Sequence, residues 1–249
     1  MPTIFWAGDS TVKQNSVATY PQTGLGQGMS RYLRHDVRME NHAENGRSTK
    51  SFLDEGRLTP IAERIGAGDF LFIQFGHNDE KTEDPVRYAD PEKAYPANLE
   101  IFVNAARDKG ACPVIITPLT RYARQAPDVK WVHDRWADAA RKTAERLGVA
   151  LIDLTAMSEK LVDELGEEAR ANYYMNIPAG VYPAFPEGLR DNTHLQPLGA
   201  MVFAGLIARG LYALGGACAE LLSAECVDWL RQNDAAMAEV RGQGQEERQ

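Results

Sequence analysis

Thr3-Ile4-Phe5-Trp6-Ala7-Gly8-Asp9-Ser10-Thr11 is a short, mainly apolar run that stops abruptly in Gly-Asp-Ser. Thr3 to Ala7 have the length and composition of a buried strand closed by a turn residue. Gly8 lacks a Cβ and permits a sharp change of direction. Ser10 then stands just beyond the carboxyl end of a strand, where open α/β sheets place their ligands. A serine in that position is a candidate nucleophile if a histidine and an acid can reach it. It is not a Gly-x-Ser-x-Gly elbow, because Val12 occupies the place of the second glycine. By itself, Gly-Asp-Ser reads equally well as a polar turn after a first strand.

The pattern repeats along the chain. Val37 to His42 predict a second strand, followed by the tight turn Asn45-Gly46-Arg47-Ser48. Asp69 to Phe75, rich in β-branched and aromatic residues, predict a third that stops at Gly76-His77-Asn78-Asp79. Pro113 to Thr117 predict a fourth, cut at Pro118, and Val149 to Ile152 a fifth. Helical stretches separate them: Gly24 to Leu33, Arg57 to Ile65, Pro91 to Lys109, Val132 to Leu147 and Thr155 to Leu165. Asn172 to Leu189 read as a long loop of Tyr, Pro and Gly. Pro197 to Leu214 form an apolar helix with proline at its first position, and Leu221 to Met237 a last helix. Strands alternating with helices predict a mainly parallel sheet covered on both faces. A single domain is expected over residues 1–240, with a polar tail over 241–249.

The composition is that of a globular protein: 249 residues, 44% hydrophobic and 25% charged. The formal charge of −8 leaves no electrostatic footprint for nucleic acid. No run approaches the ~20 apolar residues that span a bilayer. No basic segment leads into an apolar one at the start, so a cytoplasmic protein with no membrane partner is expected. Cys112, Cys218 and Cys226 make neither a disulfide framework nor a zinc spacing, and Cys218 and Cys226 read as buried thiols. No carboxylate or histidine cluster has metal-ligand spacing, so neither metal nor cofactor is expected.

Partners for Ser10 lie far along the chain. Asp191-Asn192-Thr193-His194 precede the apolar C-terminal helix, and the three-residue spacing lets one turn bring the Asp191 carboxylate to the His194 imidazole. An acid on one ring nitrogen leaves the other free to take a serine proton. His194 could otherwise simply cap the helix that follows.

In these four blocks, Gly8-Asp9-Ser10, the Gly46 turn, Gly76-His77-Asn78-Asp79 and Asp191-x-x-His194, the chain resembles the SGNH (GDSL-like) hydrolases. Gly-Asp-Ser-Thr, Asn45-Gly46-x-Ser48 and Phe75-Gly76-His77-Asn78-Asp79 are similar to the rhamnogalacturonan acetylesterase branch of that family. The resemblance implies a three-layer α/β/α sandwich of flavodoxin-like type with a central sheet of about five strands. It also implies ester hydrolysis by a Ser10, His194, Asp191 triad. The oxyanion would be held by the backbone N–H groups of Ser10 and Gly46 and by the Asn78 amide. The expected substrate is an acetylated, pectin-derived oligosaccharide. A general short-chain or lipolytic esterase and a non-catalytic carbohydrate-binding protein are the competing readings.

Candidate substrate contacts are His77, Arg121, Tyr174 and Tyr182. His77 reads as a hydrogen-bonded neighbour of Asn78 rather than a second base. The tyrosines, with Tyr173, Phe185 and Trp131, offer faces for sugar rings or simply anchor a loop. Lys81, Arg87, Arg121, Arg124 and Lys130 are cations suited to uronate carboxylates or to plain solvation.

Overall fold

The computed structural model describes residues 1–122 and 133–233. In chain order the elements are β1 (Thr3–Gly8), α1 (Leu25–Met29), β2 (Arg38–Asn41), α2 (Thr49–Asp54), α3 (Thr59–Arg64) and β3 (Phe70–Gln74). Next come α4 (Ala94–Arg107), β4 (Cys112–Ile116), α5 (Asp134–Leu147), β5 (Ala150–Ile152), α6 (Leu154–Leu165) and α7 (Glu167–Tyr173). β6 (Tyr174–Ile177), β7 (Leu189–Leu195), α8 (Pro197–Leu214) and α9 (Gly216–Ala219) follow, and residues 224–233 are helical.

Five strands pair in the order β2-β1-β3-β4-β5, all parallel. Side chains along a strand point alternately to its two faces, and here both faces are buried. Ile4, Trp6, Phe70, Phe72, Val114 and Ile116 face one core, with Leu25 and Met29 of α1 and Phe203, Ile207 and Leu211 of α8. Phe5, Ala7, Leu71, Ile73 and Ile115 face the other, with Ile61 of α3, Leu99, Phe102 and Val103 of α4 and Trp136 of α5. The result is a three-layer α/β/α architecture.

The strand order reverses at β1, whose neighbours are β2 on one side and β3 on the other. In such sheets the crevice for ligands opens at the carboxyl ends of the strands flanking the reversal. Ser10 follows β1 and Asn78 follows β3, so both stand at that crevice.

Several expectations change. Helix α1 is a single short turn region rather than reaching Leu33, because three of the five residues in 24–28 are glycines, which favour the helix least after proline. Helix α2, unforeseen, starts from Ser48, whose Oγ accepts from Ser51 N while Ser51 Oγ accepts from Ser48 N. The segment 172–189 is not one loop: it opens on the end of α7 and on β6, which pairs antiparallel with β7 in a separate two-stranded sheet. Helix α8 is long and apolar enough to cross a membrane by length and composition, yet its Phe203, Ala204, Ile207, Ala208 and Leu211 are buried against the sheet. The last expected helix starts at residue 224 rather than at Leu221, since Leu222 pairs with Leu33 in an isolated bridge; residues 224–233 are helical, and 234–237, with the polar tail, lie outside the described residues. Cys226 is buried, whereas Cys218 is half-buried and Cys112 exposed.

Candidate active site

Ser10 sits in a turn in which the Asp9 carbonyl accepts from both Val12 N and Lys13 N at 3.2 Å. Gly8 is needed just before it: a Cβ there would lie 3.0 Å from Val12 Cγ2 and 3.1 Å from the Gln74 carbonyl oxygen. The fully buried Asp9 carboxylate accepts from Thr11 N at 2.9 Å and Thr11 Oγ1 at 2.8 Å, which pins the turn from beneath. Burial pushes the Asp9 carboxyl up, but the charge and hydrogen bond of His77 and the Thr11 donors outweigh it and hold it below the usual range.

His194 brings Nε2 to 2.8 Å from Ser10 Oγ, and its Nδ1 lies 2.6 Å from Asp191 Oδ2. The carboxylate can only accept, so Nδ1 carries the ring proton. Nε2 is then the free acceptor, aimed at the serine hydroxyl. Asp191 is itself held in place: its Oδ1 accepts from Thr193 N at 2.7 Å and from His194 N at 3.0 Å. Partial burial would raise the Asp191 carboxyl, but its bond to His194 and the two backbone donors bring it down to about 2. The acid is therefore ionised at any neutral or mildly acidic pH. Both residues lie on β7, not in a helix cap.

Asn78 and Gly46 meet around one arginine. Asn78 is buried and donates from Nδ2 to the Arg47 carbonyl at 3.0 Å. Its Oδ1 accepts from Arg87 Nη1 at 3.5 Å, and Arg87 is held by Asp84. With the oxygen tied to Arg87 and one amide proton on Arg47, the second amide proton remains for another acceptor. The same Arg87 Nη1 lies 3.7 Å from where a Cβ on Gly46 would stand, and Gly46 has φ of +73°, a conformation that favours glycine. Next to Asn78, the buried Asp79 carboxyl is pushed up to about 8 by burial, against the Thr49 N–H and hydroxyl that both donate to its Oδ1.

Two expected substrate contacts are corrected. His77 is 3% exposed and bonds Asp9 Oδ2 at 3.1 Å and the Leu119 carbonyl at 2.9 Å, so both ring nitrogens are engaged inside the protein. Tyr174 is fully buried and its hydroxyl donates to the Thr120 carbonyl at 2.8 Å. Neither offers a group to a ligand. Arg121 is partly accessible, but its guanidinium bonds Thr193, the His77 carbonyl and Glu80. Tyr182 is half-buried against the exposed Tyr20, with ring centroids 5.6 Å apart. Arg124, Lys130 and Trp131 lie outside the described residues. Among the described residues, no group of three or more metal-ligating side chains comes together. Sequence reading gave no role to Thr193 or Glu80, which lie within or directly after a recognised block, and read Arg87 only as a cation for uronates or solvent; only the folded structure shows which way each turns.

A serine, histidine and aspartate in hydrogen-bonded line at the switch point of a parallel α/β/α sheet define a hydrolase-type site. The profile of the GDSL-like lipase/acylhydrolase family matches residues 7–200, and the chain belongs to that family. It is a carboxylic ester hydrolase. The chain is 38% identical to rhamnogalacturonan acetylesterase RhgT of Bacillus subtilis (strain 168), over 85% of this chain and 90% of that protein. It is 37% identical to the probable rhamnogalacturonan acetylesterase YesY of the same organism, over 85% and 93%. Among solved structures, YxiM of Bacillus subtilis superposes with a TM-score of 0.71 at 24% identity, over 86% of this chain and 57% of that one. A variant of Axe2, an acetyl xylan esterase from Geobacillus stearothermophilus, superposes with a TM-score of 0.59 at 16% identity, over 84% and 94%. These two likenesses speak to the fold alone.

Proposed function

We propose that this chain is a serine carbohydrate esterase that removes O-acetyl groups from pectin-derived rhamnogalacturonan oligosaccharides. The observation that carries the chemistry is the line from Ser10 Oγ to His194 Nε2 and from His194 Nδ1 to Asp191, at 2.8 and 2.6 Å. The substrate class rests on the similarity, over most of the length of each, to RhgT, named a rhamnogalacturonan acetylesterase, and to YesY, named a probable one. Residues 1–240 act in this reading as one domain.

Ser10 Oγ attacks the acetyl carbon while its proton passes to His194 Nε2. The carbonyl oxygen becomes an oxyanion, which the N–H groups of Ser10 and Gly46 and the remaining amide proton of Asn78 stabilise. One such donor is typically worth about 3–4 kcal/mol of barrier. Asp191 holds the ring in the required tautomer and balances the imidazolium charge. As the intermediate collapses, Nε2 returns the proton to the departing sugar oxygen, leaving acetyl-Ser10. Water then attacks the acyl carbon, giving its proton to the same nitrogen, and acetate leaves as Ser10 recovers its hydrogen.

The test is acetate release from acetylated rhamnogalacturonan oligosaccharides, with acetylated xylooligosaccharides and p-nitrophenyl acetate alongside, for the wild type and Ser10→Ala. Release that is fastest on the pectic substrate and lost in the variant is expected. Release from p-nitrophenyl acetate alone would keep the chemistry and overturn the substrate, favouring a general short-chain esterase. No release from any of the three by folded protein would point to a carbohydrate-binding module.

A further inference from the structure

The strand that carries Asp191 and His194 is not part of the main sheet; it belongs to the separate β6–β7 pair. Its alignment with Ser10 and Asn78, which stand on the main sheet, must come from ties between the two. One residue supplies several of them. Arg121 Nη1 donates to Thr193 Oγ1, and Thr193 sits between Asp191 and His194 in sequence. Arg121 Nη2 donates to the His77 carbonyl at 3.2 Å, immediately before Asn78, and to Glu80 Oε1 at 2.9 Å. The neighbouring Tyr122 N donates to the Asn192 carbonyl at 2.9 Å.

The guanidinium is itself braced. The Glu80 side chain is 7% exposed, and its second oxygen accepts from His133 Nδ1 at 2.8 Å. The hydrogen bond from His133 and the positive charge of Arg121 outweigh burial and keep the Glu80 carboxyl below the usual range. Burial, with His77 beside it, lowers His133 to about 4, so a neutral ring serves Glu80 with its Nδ1 proton. The His133 ring meets the His77 ring edge-on with centroids 4.4 Å apart, and His77 reaches Asp9 under the serine turn. Bonded and packed side chains therefore run from Thr193 through Arg121, Glu80, His133 and His77 to Asp9 without interruption.

We propose that Arg121 is a positioning residue that fastens the Asp191–His194 strand to the Asn78 loop and so sets the His194 ring against Ser10. This rests on reading Ser10, His194 and Asp191 as the reacting groups. In this role Arg121 touches no reacting atom and no substrate, in contrast to the sugar contact expected from sequence. A shift of about 1 Å in such a group costs on the order of 10²-fold in rate.

The test compares Arg121→Met, Arg121→Lys and Thr193→Val with wild type and Ser10→Ala, on p-nitrophenyl acetate and acetylated rhamnogalacturonan oligosaccharides. Arg121→Met should lower kcat about 100-fold on both esters and leave KM within about twofold. Arg121→Lys should recover part of the loss, since an ammonium replaces some but not all of the bonds. Thr193→Val cuts the tie at its far end while leaving Glu80 paired, and should lower kcat about tenfold, in line with the loss of one positioning bond. In both Arg121→Met and Thr193→Val the low-field proton NMR signal of His194 Nδ1–H should broaden or move. If Arg121→Met does not fold, Thr193→Val decides. An unchanged kcat and signal in the folded variants would overturn the proposal. So would a rise in KM confined to the oligosaccharide with kcat intact, which would make Arg121 a substrate contact. Full activity in Ser10→Ala would instead bring down the triad reading, and the two failures are thereby separated.

Discussion

The two sides of the site are built differently. The nucleophile turn and the Asn78 loop grow from β1 and β3, the middle strands of the sheet, where every residue from Ile4 to Gly8 and from Phe70 to Gln74 is buried. The acid and base ride on β7, where all but Leu195 is half-buried or exposed. One side is held by core packing, which resists displacement because interiors are close-packed. The other is held by discrete hydrogen bonds: Arg121 to Thr193, Tyr122 N to Asn192, Thr23 N to the Leu195 carbonyl, and Gln196 N to the Tyr173 carbonyl. A site assembled this way gets a fixed nucleophile from its core and an orientable base from its rim. Local opening free energies follow burial, so backbone amide exchange should be faster over 189–195 than over β1 and β3.

Substitutions can break that division in order of expected effect. Ser10→Ala removes the attacking atom and should lower kcat on any acetyl ester by about 10⁵ or more, measured as acetate release. Asn78→Ala takes away one oxyanion donor and should lower kcat by about 10²–10³ with KM little changed, measured by steady-state kinetics. A fall in binding alone would show that Asn78 does not face the developing charge. Gly199→Ala attacks the rim side: its Cβ would come within 2.2 Å of the Tyr173 carbonyl oxygen, at the joint between α8 and the β6–β7 pair. Such overpacking costs about 1–3 kcal/mol, and urea denaturation should register it. It should also loosen amide protection in the β6–β7 pair more than in β1.

The remaining effect is one of pH, read as a slope in stability. The Asp79 carboxyl titrates near 8 in the fold against an ordinary 3.8, so between those values the native state holds a proton that the unfolded chain has released. The unfolded state binds fewer protons there, and stability falls as pH rises from about 4 to 8. Asp79→Asn keeps the Oδ1 acceptor for Thr49 and removes the titration, so it should flatten this slope in denaturation curves taken across that range. His133 works with the opposite sign. Its value is lowered to about 4 from 6.5, so its contribution is present above pH 6.5 and is lost as pH falls toward 4.

The core-built side was legible in the sequence and the rim-built side was not. β1 and β3 are apolar runs ended by Gly-Asp-Ser and Gly-His-Asn-Asp, a signal that needs only local chemistry. β7, written Leu-Arg-Asp-Asn-Thr-His-Leu, has no alternation to mark it, and its partner β6 lies beyond the Pro- and Gly-rich segment 178–188. The pairing of Asp191 with His194 was recognisable from spacing, but the strand beneath them was not. Polar tips misled in the same way. Tyr174 and His77 looked available for a sugar, yet the carbonyls of Thr120 and Leu119, distant in sequence, take their protons inside the core. A capping pair at Ser48 and Ser51 was present for α2, although serine at the third position is a weaker sign than Glu or Gln.

The central claim is that Ser10, activated by His194, is the nucleophile. The most direct measurement is reaction with a serine-directed phosphonate ester, followed by peptide mapping of the adduct. The account predicts one adduct per chain, on Ser10, formed in step with the loss of esterase activity and slowed at least about 100-fold in folded His194→Ala. An adduct on another residue, or complete loss of activity with Ser10 unmodified, would contradict it.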